Sequence, residues 1–411
     1  MRQRADYTFK YNKSLGRHGW LRLTPAYSVK LVEEILLGDI FSEKKRPNAI
    51  LDPFCGTATT GIVASKLGLN CDLYDINPFL VWFGRIKSMT FSPSELSMIY
   101  EKVKDDIKDV DLKVDNSLWI PPMKNIERWW NESTINTLAS LRRYISSFWG
   151  EPSFSGAYNV LWIAFARLCM ETSAADFNHI SVTVKEQTQD LGLLRIKELF
   201  LNILQSIMLS ASDALKGKVI IYNSDSRFLA KEGKYDMVIT SPPYPNRISY
   251  IRELRPYMYW LKFLNSGEEA GELDWRAIGG TWGSATSRLA YWKNESSGLP
   301  AGLLDVCQKI KESDKKNGYL LSQYVLKFFD DMYVHFSNLR KHLHTGAEIY
   351  YILGNSSFYG NYVYTDEYIT VILNQLGFSE TSTRVIRKRN CNKGLFEYCI
   401  KATWMEQNNI D

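Results

Sequence analysis

No stretch of this chain stays apolar long enough to cross a bilayer, so a soluble protein without a membrane partner is expected. Cysteine is sparse. Cys55, Cys71, Cys169, Cys307, Cys391 and Cys399 include no C-x-x-C pair, and no histidine stands at zinc-ligand spacing, so reduced thiols and no metal are expected. The segment MRQRADYTFKYNK lacks the apolar core of a secretory signal, which points to a cytoplasmic location. Neither sign of charge dominates: a net charge of +5 permits a polyanionic partner and selects none. Tandem repeats are absent, and compositional bias is confined to one glycine- and serine-bearing stretch. What remains is a chain of 411 residues with near-average apolar and charged content. It exceeds one ordinary domain, so a large core carrying insertions is expected.

Between Asn48 and Pro78, NAILDPFCGTATTGIVASKLGLNCDLYDINP reads as strand, small-residue turn, helix and second strand. The strands fall at 49–51 and 71–74 with a helix over 59–67, and the unit opens a doubly wound α/β sheet. The pattern resumes in KVIIYNSDSRF, a strand ending near Asp225, and in YDMVITSPPY, a strand ending at Thr240. A helix over 323–343, a strand in AEIYYILGNS, a helix in TDEYITVILNQLG and a closing strand pair in STRVIRKR and LFEYCIKATW complete the core. Five parts follow: 1–90, the N-terminal segment and first half of the core; 91–217, a helical insertion; 218–265, the half with the proline-proline loop; 266–317, a smaller insertion; and 318–411, the remaining sheet. The fold in 266–317 is not readable from pattern.

Two loops carry chemistry. In the first, Asp52, Pro53, Phe54, Gly56, Thr57 and Thr59 lie between strand and helix, where small residues allow close backbone approach and an acid can face a cation. An ordinary strand-helix turn is the alternative. Asp75 ends the second strand where an acid commonly receives ribose hydroxyls; a surface cap is its plain reading. G-x-G-x-x-G is missing and no lysine waits for a phosphate, so a nucleoside cofactor fits better than a dinucleotide or a triphosphate. In the second loop, Ser241, Pro242, Pro243 and Tyr244 follow an apolar strand. Successive prolines stop the strand and leave carbonyls free as acceptors, and Tyr244 offers an aromatic face to a flipped base. A plain proline turn is again the alternative. Cys55 in the first loop is read as a packing residue rather than a nucleophile.

DPFCGTATT followed by TSPPY resembles the amino-methyltransferases of bacterial DNA modification, which act on cytosine N4 or adenine N6. The resemblance reaches most of the core. It implies a Rossmann-like methyltransferase sheet, S-adenosylmethionine as cofactor, a flipped base in double-stranded DNA as substrate and, in a restriction-modification pair, a cognate restriction enzyme. It sets Asp52 near the cofactor's amino group, Gly56 against its methionine part, Asp75 at the ribose and Asp225 at the adenine amino group, and it counts Pro53, Phe54, Thr57, Thr59, Ile76 and Ser226 among the cofactor-binding residues. A strand-end cap is the alternative for Asp225. RHGWLRLTPAYSVKLVEEIL resembles the N-terminal motif that closes over the methionine carboxylate, with His18, Gly19, Thr24 and Pro25 as the match.

Two departures stand out. Ala58 replaces the second loop glycine, and Ser241 occupies the position that is aspartate or asparagine in most adenine-N6 enzymes. Serine is more typical of cytosine-N4 enzymes, so cytosine N4 is expected. Arg247, Arg252 and Arg255 are candidates for phosphate contact, while Trp282 and Arg288 in the second insertion are candidates for base reading or for packing. Trp129 and Trp130 are expected to pack, and Lys388 with its neighbouring arginines to lie on an exposed strand. Adenine-N6 methylation, guanine-N2 methylation of RNA, and a non-catalytic nucleic-acid-binding relative are the rival readings.

Overall fold

The computed structural model describes residues 5–23, 26–38, 40, 46–109, 117–176, 183–185, 191–229, 233–280, 284–294, 296, 298–314, 316–389 and 394–406. Its centre is a seven-stranded sheet. In chain order the strands are β1 (Ala49–Asp52), β2 (Asn70–Asp75), β3 (Val219–Asn223), β4 (Tyr235–Thr240), β5 (Leu343–Gly354), β6 (Phe378–Lys388) and β7 (Phe396–Trp404). They lie side by side as β6-β7-β5-β4-β1-β2-β3. The β3 to β5 run is parallel, and β7 and β6 close it antiparallel. This bears out the expected α/β class. Order reverses at β1, which pairs with β2 on one side and β4 on the other, and a crevice at such a reversal is where open α/β sheets take ligands.

Helices cover both faces, so the central strands are apolar on both sides rather than alternating. On one face α1 (Val29–Leu36) and α2 (Thr59–Lys66) bring Val32, Ile35, Val63 and Ala64 onto Ile50, Met237 and Ile239. Onto the other, α12 (Gly318–Leu339) and α13 (Thr365–Gln375) press Phe328, Met332, Ile369 and Leu373 against Leu51, Val238 and Ile349. Between β2 and β3, α3 (Pro78–Lys87) begins behind an Asn77 cap with Pro78 in its first turn.

Then comes the helical insertion: α4 (Pro93–Asp109), α5 (Glu132–Trp149), α6 (Asn159–Glu171) and α7 (Leu193–Ala211). It shares one core with α3 and α8 (Tyr250–Trp260), and both Trp129 and Trp130 are buried in it. Polar rivets join lobe and core. Trp82 Nε1 donates to Asn159 Oδ1 at 3.1 Å, and Arg142 Nε to the Trp260 carbonyl at 2.9 Å. The smaller insertion contains α9 (Gly267–Arg276), α10 (Ser284–Leu289) and α11 (Ala301–Ser313).

Two boundaries differ from expectation. β3 stops at Asn223, which leaves Asp225 in the turn beyond, and α12 runs earlier because Leu343 already belongs to β5. No helix among the described residues is long and apolar enough to cross a membrane. The five described cysteines are unpaired and buried, and Cys391 lies outside the described residues.

Candidate active site

The end of β1 and the end of β4 are tied through one carboxylate. Asp52 is fully buried. Its Oδ1 accepts from the Thr240 hydroxyl at 2.6 Å and the Phe54 N–H at 3.1 Å; its Oδ2 accepts from the Thr60 hydroxyl at 2.6 Å and the Tyr27 hydroxyl at 3.3 Å. Burial raises this carboxyl to about 6, against the pull of those donors. Both oxygens are occupied by the protein, so Asp52 braces the loop from within.

Gly56 and Ala58 shape that loop with positive φ values of 48° and 59°. A Cβ on Gly56 would meet no atom of the described residues within 4 Å, so its outer side is open for close approach. Ala58, buried, takes the left-handed conformation at a cost of about 1–2 kcal/mol that glycine would avoid. Asp75, half-buried at the end of β2, accepts from the Gly56 N–H at 2.9 Å and the Asn77 N–H at 2.8 Å. Burial raises its carboxyl to about 7 against these two donors. Beside it, Ile76 helps line a cavity of about 550 Å³ with Pro78, Asn223 and Ser224 at the ends of β2 and β3. Pro53, Thr57 and Thr59 are buried and Phe54 half-buried, its ring edge-on to His335 at 4.9 Å.

A second cavity, of about 540 Å³, is lined by His18, Leu23, Ala26, Tyr257 and, from the loop, Thr57. His18 is buried with neither ring nitrogen hydrogen-bonded among the described residues, and burial, then Lys87, holds it well below its ordinary pKa. Thr24 and Pro25 lie outside the described residues. Lys87, which no sequence pattern singled out, is buried and donates to the Thr57 carbonyl at 2.7 Å. Burial lowers its ammonium to about 7.

Asp225 does not stand alone. Arg227 grips it with Nε at 3.0 Å from Oδ1 and Nη2 at 2.7 Å from Oδ2, and reaches Asp331 with Nη1 at 2.5 Å. Burial pushes the Asp225 carboxyl up, but the guanidinium outweighs it and holds the group below the usual carboxylate range. The Ser226 carbonyl lies 2.8 Å from His335 Nδ1, and the other ring nitrogen lies 2.6 Å from the Tyr351 hydroxyl.

Beyond Thr240, Ser241 and Pro243 are half-buried and Pro242 buried, directly outside the β4 edge. Tyr244 leaves this loop toward the sheet's antiparallel end. Its hydroxyl donates to Glu397 Oε1 at 2.8 Å and lies 3.4 Å from Ser241 Oγ. Arg389 sits 5.6 Å from the ring centre, and Arg387 holds Glu397 with Nε at 2.7 Å from Oε2 and Nη2 at 3.1 Å from Oε1. These arginines, the neighbours of Lys388 expected on an exposed strand, are half-buried because they turn toward Tyr244 and Glu397. Strand register builds the group: Gly354, Glu397 and Arg387 are cross-strand partners on β5, β7 and β6.

Arg247 and Arg252 are exposed near the loop, Arg247 with a φ of 62°, and Arg255 is half-buried on α8. Arg288 is exposed, paired with Glu272 and placed 5.7 Å over the Trp275 ring. Trp282 lies outside the described residues. Cys55 is buried, and burial pushes its thiol well above the usual range, which suits packing and not nucleophilic attack.

No model of a known protein family matches the chain. It is similar to the Type II methyltransferase M.BsoBI of Geobacillus stearothermophilus, 26% identical over 271 residues, which cover 60% of this chain and 52% of that protein. It is similar also to the Type II methyltransferase M.AvaI of Nostoc sp. (strain PCC 7120) and of Anabaena variabilis, 22% identical in each case over 92% of this chain and 82% of theirs. The chain thus spans about half the length of the Geobacillus relative and most of the other two.

Proposed function

We propose that the chain is an S-adenosylmethionine-dependent methyltransferase that acts on an exocyclic amino group in double-stranded DNA, cytosine N4 in the first place. The observation that carries this reading is the Asp52–Thr240 hydrogen bond, which locks the small-residue loop of β1 to the Ser241–Tyr244 loop of β4 at the sheet's reversal point. The similarity to Type II methyltransferases supports the same class. The residues fit the cofactor: Gly56 is open on its outer side, Asp75 supplies acceptors for ribose hydroxyls, and His18, without a hydrogen-bond partner among the described residues, lines a cavity that reaches Thr57.

When bound, the cofactor supplies a methyl group already activated by its sulfonium. The protein's part is alignment and exclusion of water. Ser241 Oγ and the Pro242 carbonyl would accept from the target amino group, draw its lone pair out of conjugation and stabilise the charge that develops on nitrogen. Arg247 and Arg252 would meet phosphates. Transfer of labelled methyl to DNA, followed by mass spectrometry of the nucleosides, should yield N4-methylcytosine. Finding only N6-methyladenine would overturn the base assignment, and transfer to RNA alone would overturn the substrate.

A further inference from the structure

We infer that Ser241, Tyr244 and Glu397 form a proton relay that carries the proton released by methylation from the target nitrogen to a buried carboxylate; this rests on the methyltransferase reading above. An exocyclic amine must lose a proton when it is alkylated, and a site built to exclude water needs somewhere to put it. The line of groups is continuous. Half-buried Ser241 leads to the Tyr244 hydroxyl at 3.4 Å, and that hydroxyl already donates to Glu397 Oε1 at 2.8 Å. Glu397 is 5% exposed, and the Arg387 guanidinium grips both its oxygens and fixes its orientation. Arg389 beside the Tyr244 ring donates to the Asn355 carbonyl at 2.7 Å, so the ring is clamped as well.

The step balances. The amino nitrogen forms its bond to the methyl carbon as the carbon–sulfur bond breaks, with that electron pair remaining on sulfur. The nitrogen, now positive, passes a proton to Ser241 Oγ; Ser241 passes its own hydroxyl proton to Tyr244, and Tyr244 passes its own to Glu397. Each hydroxyl ends as it began, and Glu397 ends as a carboxylic acid. Ser241 touches the substrate; Tyr244 and Glu397 act through it.

Glutamine and alanine at Glu397 separate a relay from a brace. Glutamine keeps an oxygen to accept from the Tyr244 hydroxyl but takes up no proton. We expect Glu397→Gln to transfer methyl in a single turnover about 10²-fold more slowly than the parent, close to Glu397→Ala, since general acid-base groups contribute about 10²–10⁴-fold. Cofactor affinity and duplex affinity, both measured by titration, should be unchanged, so kcat falls and KM does not. Tyr244→Phe, which keeps the ring and removes one link, should fall likewise, and the double variant should be no slower than the slower single one. Full activity in Glu397→Gln would overturn the relay, as would additive losses in the double variant. Should Glu397→Gln fail to bind cofactor, Tyr244→Phe decides: parent-like transfer refutes the relay, and slow transfer with intact binding supports it. If the parent methylates no DNA at all, the functional reading itself fails, a result distinct from an active parent with an equally active variant.

Discussion

Gly354 is the position at which a single methyl group should uncouple Tyr244 from the rest of the site. It lies at the end of β5 opposite Glu397, and its φ is not in the left-handed region, so alanine brings no backbone strain. Space is the only obstacle. A Cβ there would stand 2.9 Å from Tyr244 Cδ2, 3.0 Å from Cε2 and 3.1 Å from Arg389 Nη1, where ordinary contact begins at 3.4 Å. Relief requires the ring to move by roughly 0.5–1 Å, because optimal carbon contacts lie at about 3.5–4.0 Å. Such overpacking destabilises by about 1–3 kcal/mol in a tight core, and a half-buried ring should place Gly354→Ala at the lower end. Rate should suffer more than stability, since a displacement near 1 Å can lower turnover about 10²-fold. Single-turnover transfer of labelled methyl to DNA, with cofactor affinity from calorimetry as control, should show a loss of about 10- to 100-fold and unchanged cofactor binding. Transfer at the parent rate would refute the idea that the ring's position against Gly354 matters.

Asp75→Ala should weaken S-adenosylmethionine binding, and the parent's affinity should decline more steeply than the variant's as pH falls below about 7, where the Asp75 carboxyl takes up a proton; calorimetry across pH 6–8 (about one unit either side of that value) checks both. In the free protein the same raised carboxyl acts oppositely: the folded state holds a proton that the unfolded chain releases, so its contribution to stability is lost as pH rises from about 4 to about 7. Lys87 has the mirror behaviour, because burial lowers it to about 7 from 10.5. Within that window the unfolded chain binds the extra proton, so stability should rise with pH, and Lys87→Met should flatten the rise in urea unfolding midpoints; an unchanged slope would refute it.

The central strands were legible because they are buried on both faces and read as short apolar runs between turn residues; β1 and β4 fall within a residue of expectation. Helix α6 was not legible for a related reason. Nearly every residue from Asn159 to Met170 is buried, so NVLWIAFARLCM has no polar face to reveal its period. At the site, an acid at each strand end can be read from the chain, but what faces it cannot. Asp52 meets hydroxyls from three separate segments, and Asp225 meets Arg227 two residues on, a pairing that depends on the turn and on Asp331. Glu397 was missed altogether. Its meeting with Tyr244 arises from the register of β5, β7 and β6, and in LFEYCIKATW the only local sign is a carboxylate within a strand of buried residues.

The helical lobe also bears on how readily the sheet can close. β2 and β3 are neighbours in the sheet, yet Asn70 and Lys218, which bond where the pair begins, are 148 residues apart. Closing a flexible connection of that length opposes pairing by about 4 kcal/mol in chain entropy, more than a few strand contacts recover. Once α4 to α7 have packed together, the effective loop is short and most of that opposition disappears. Pairing of edge strand β3, and with it the turn that holds Asp225 and Arg227, is therefore disfavoured until the lobe has packed, so the lobe acts on the outer wall of the site as well as lining the cavity beside His18 through Arg167, Met170 and Glu171.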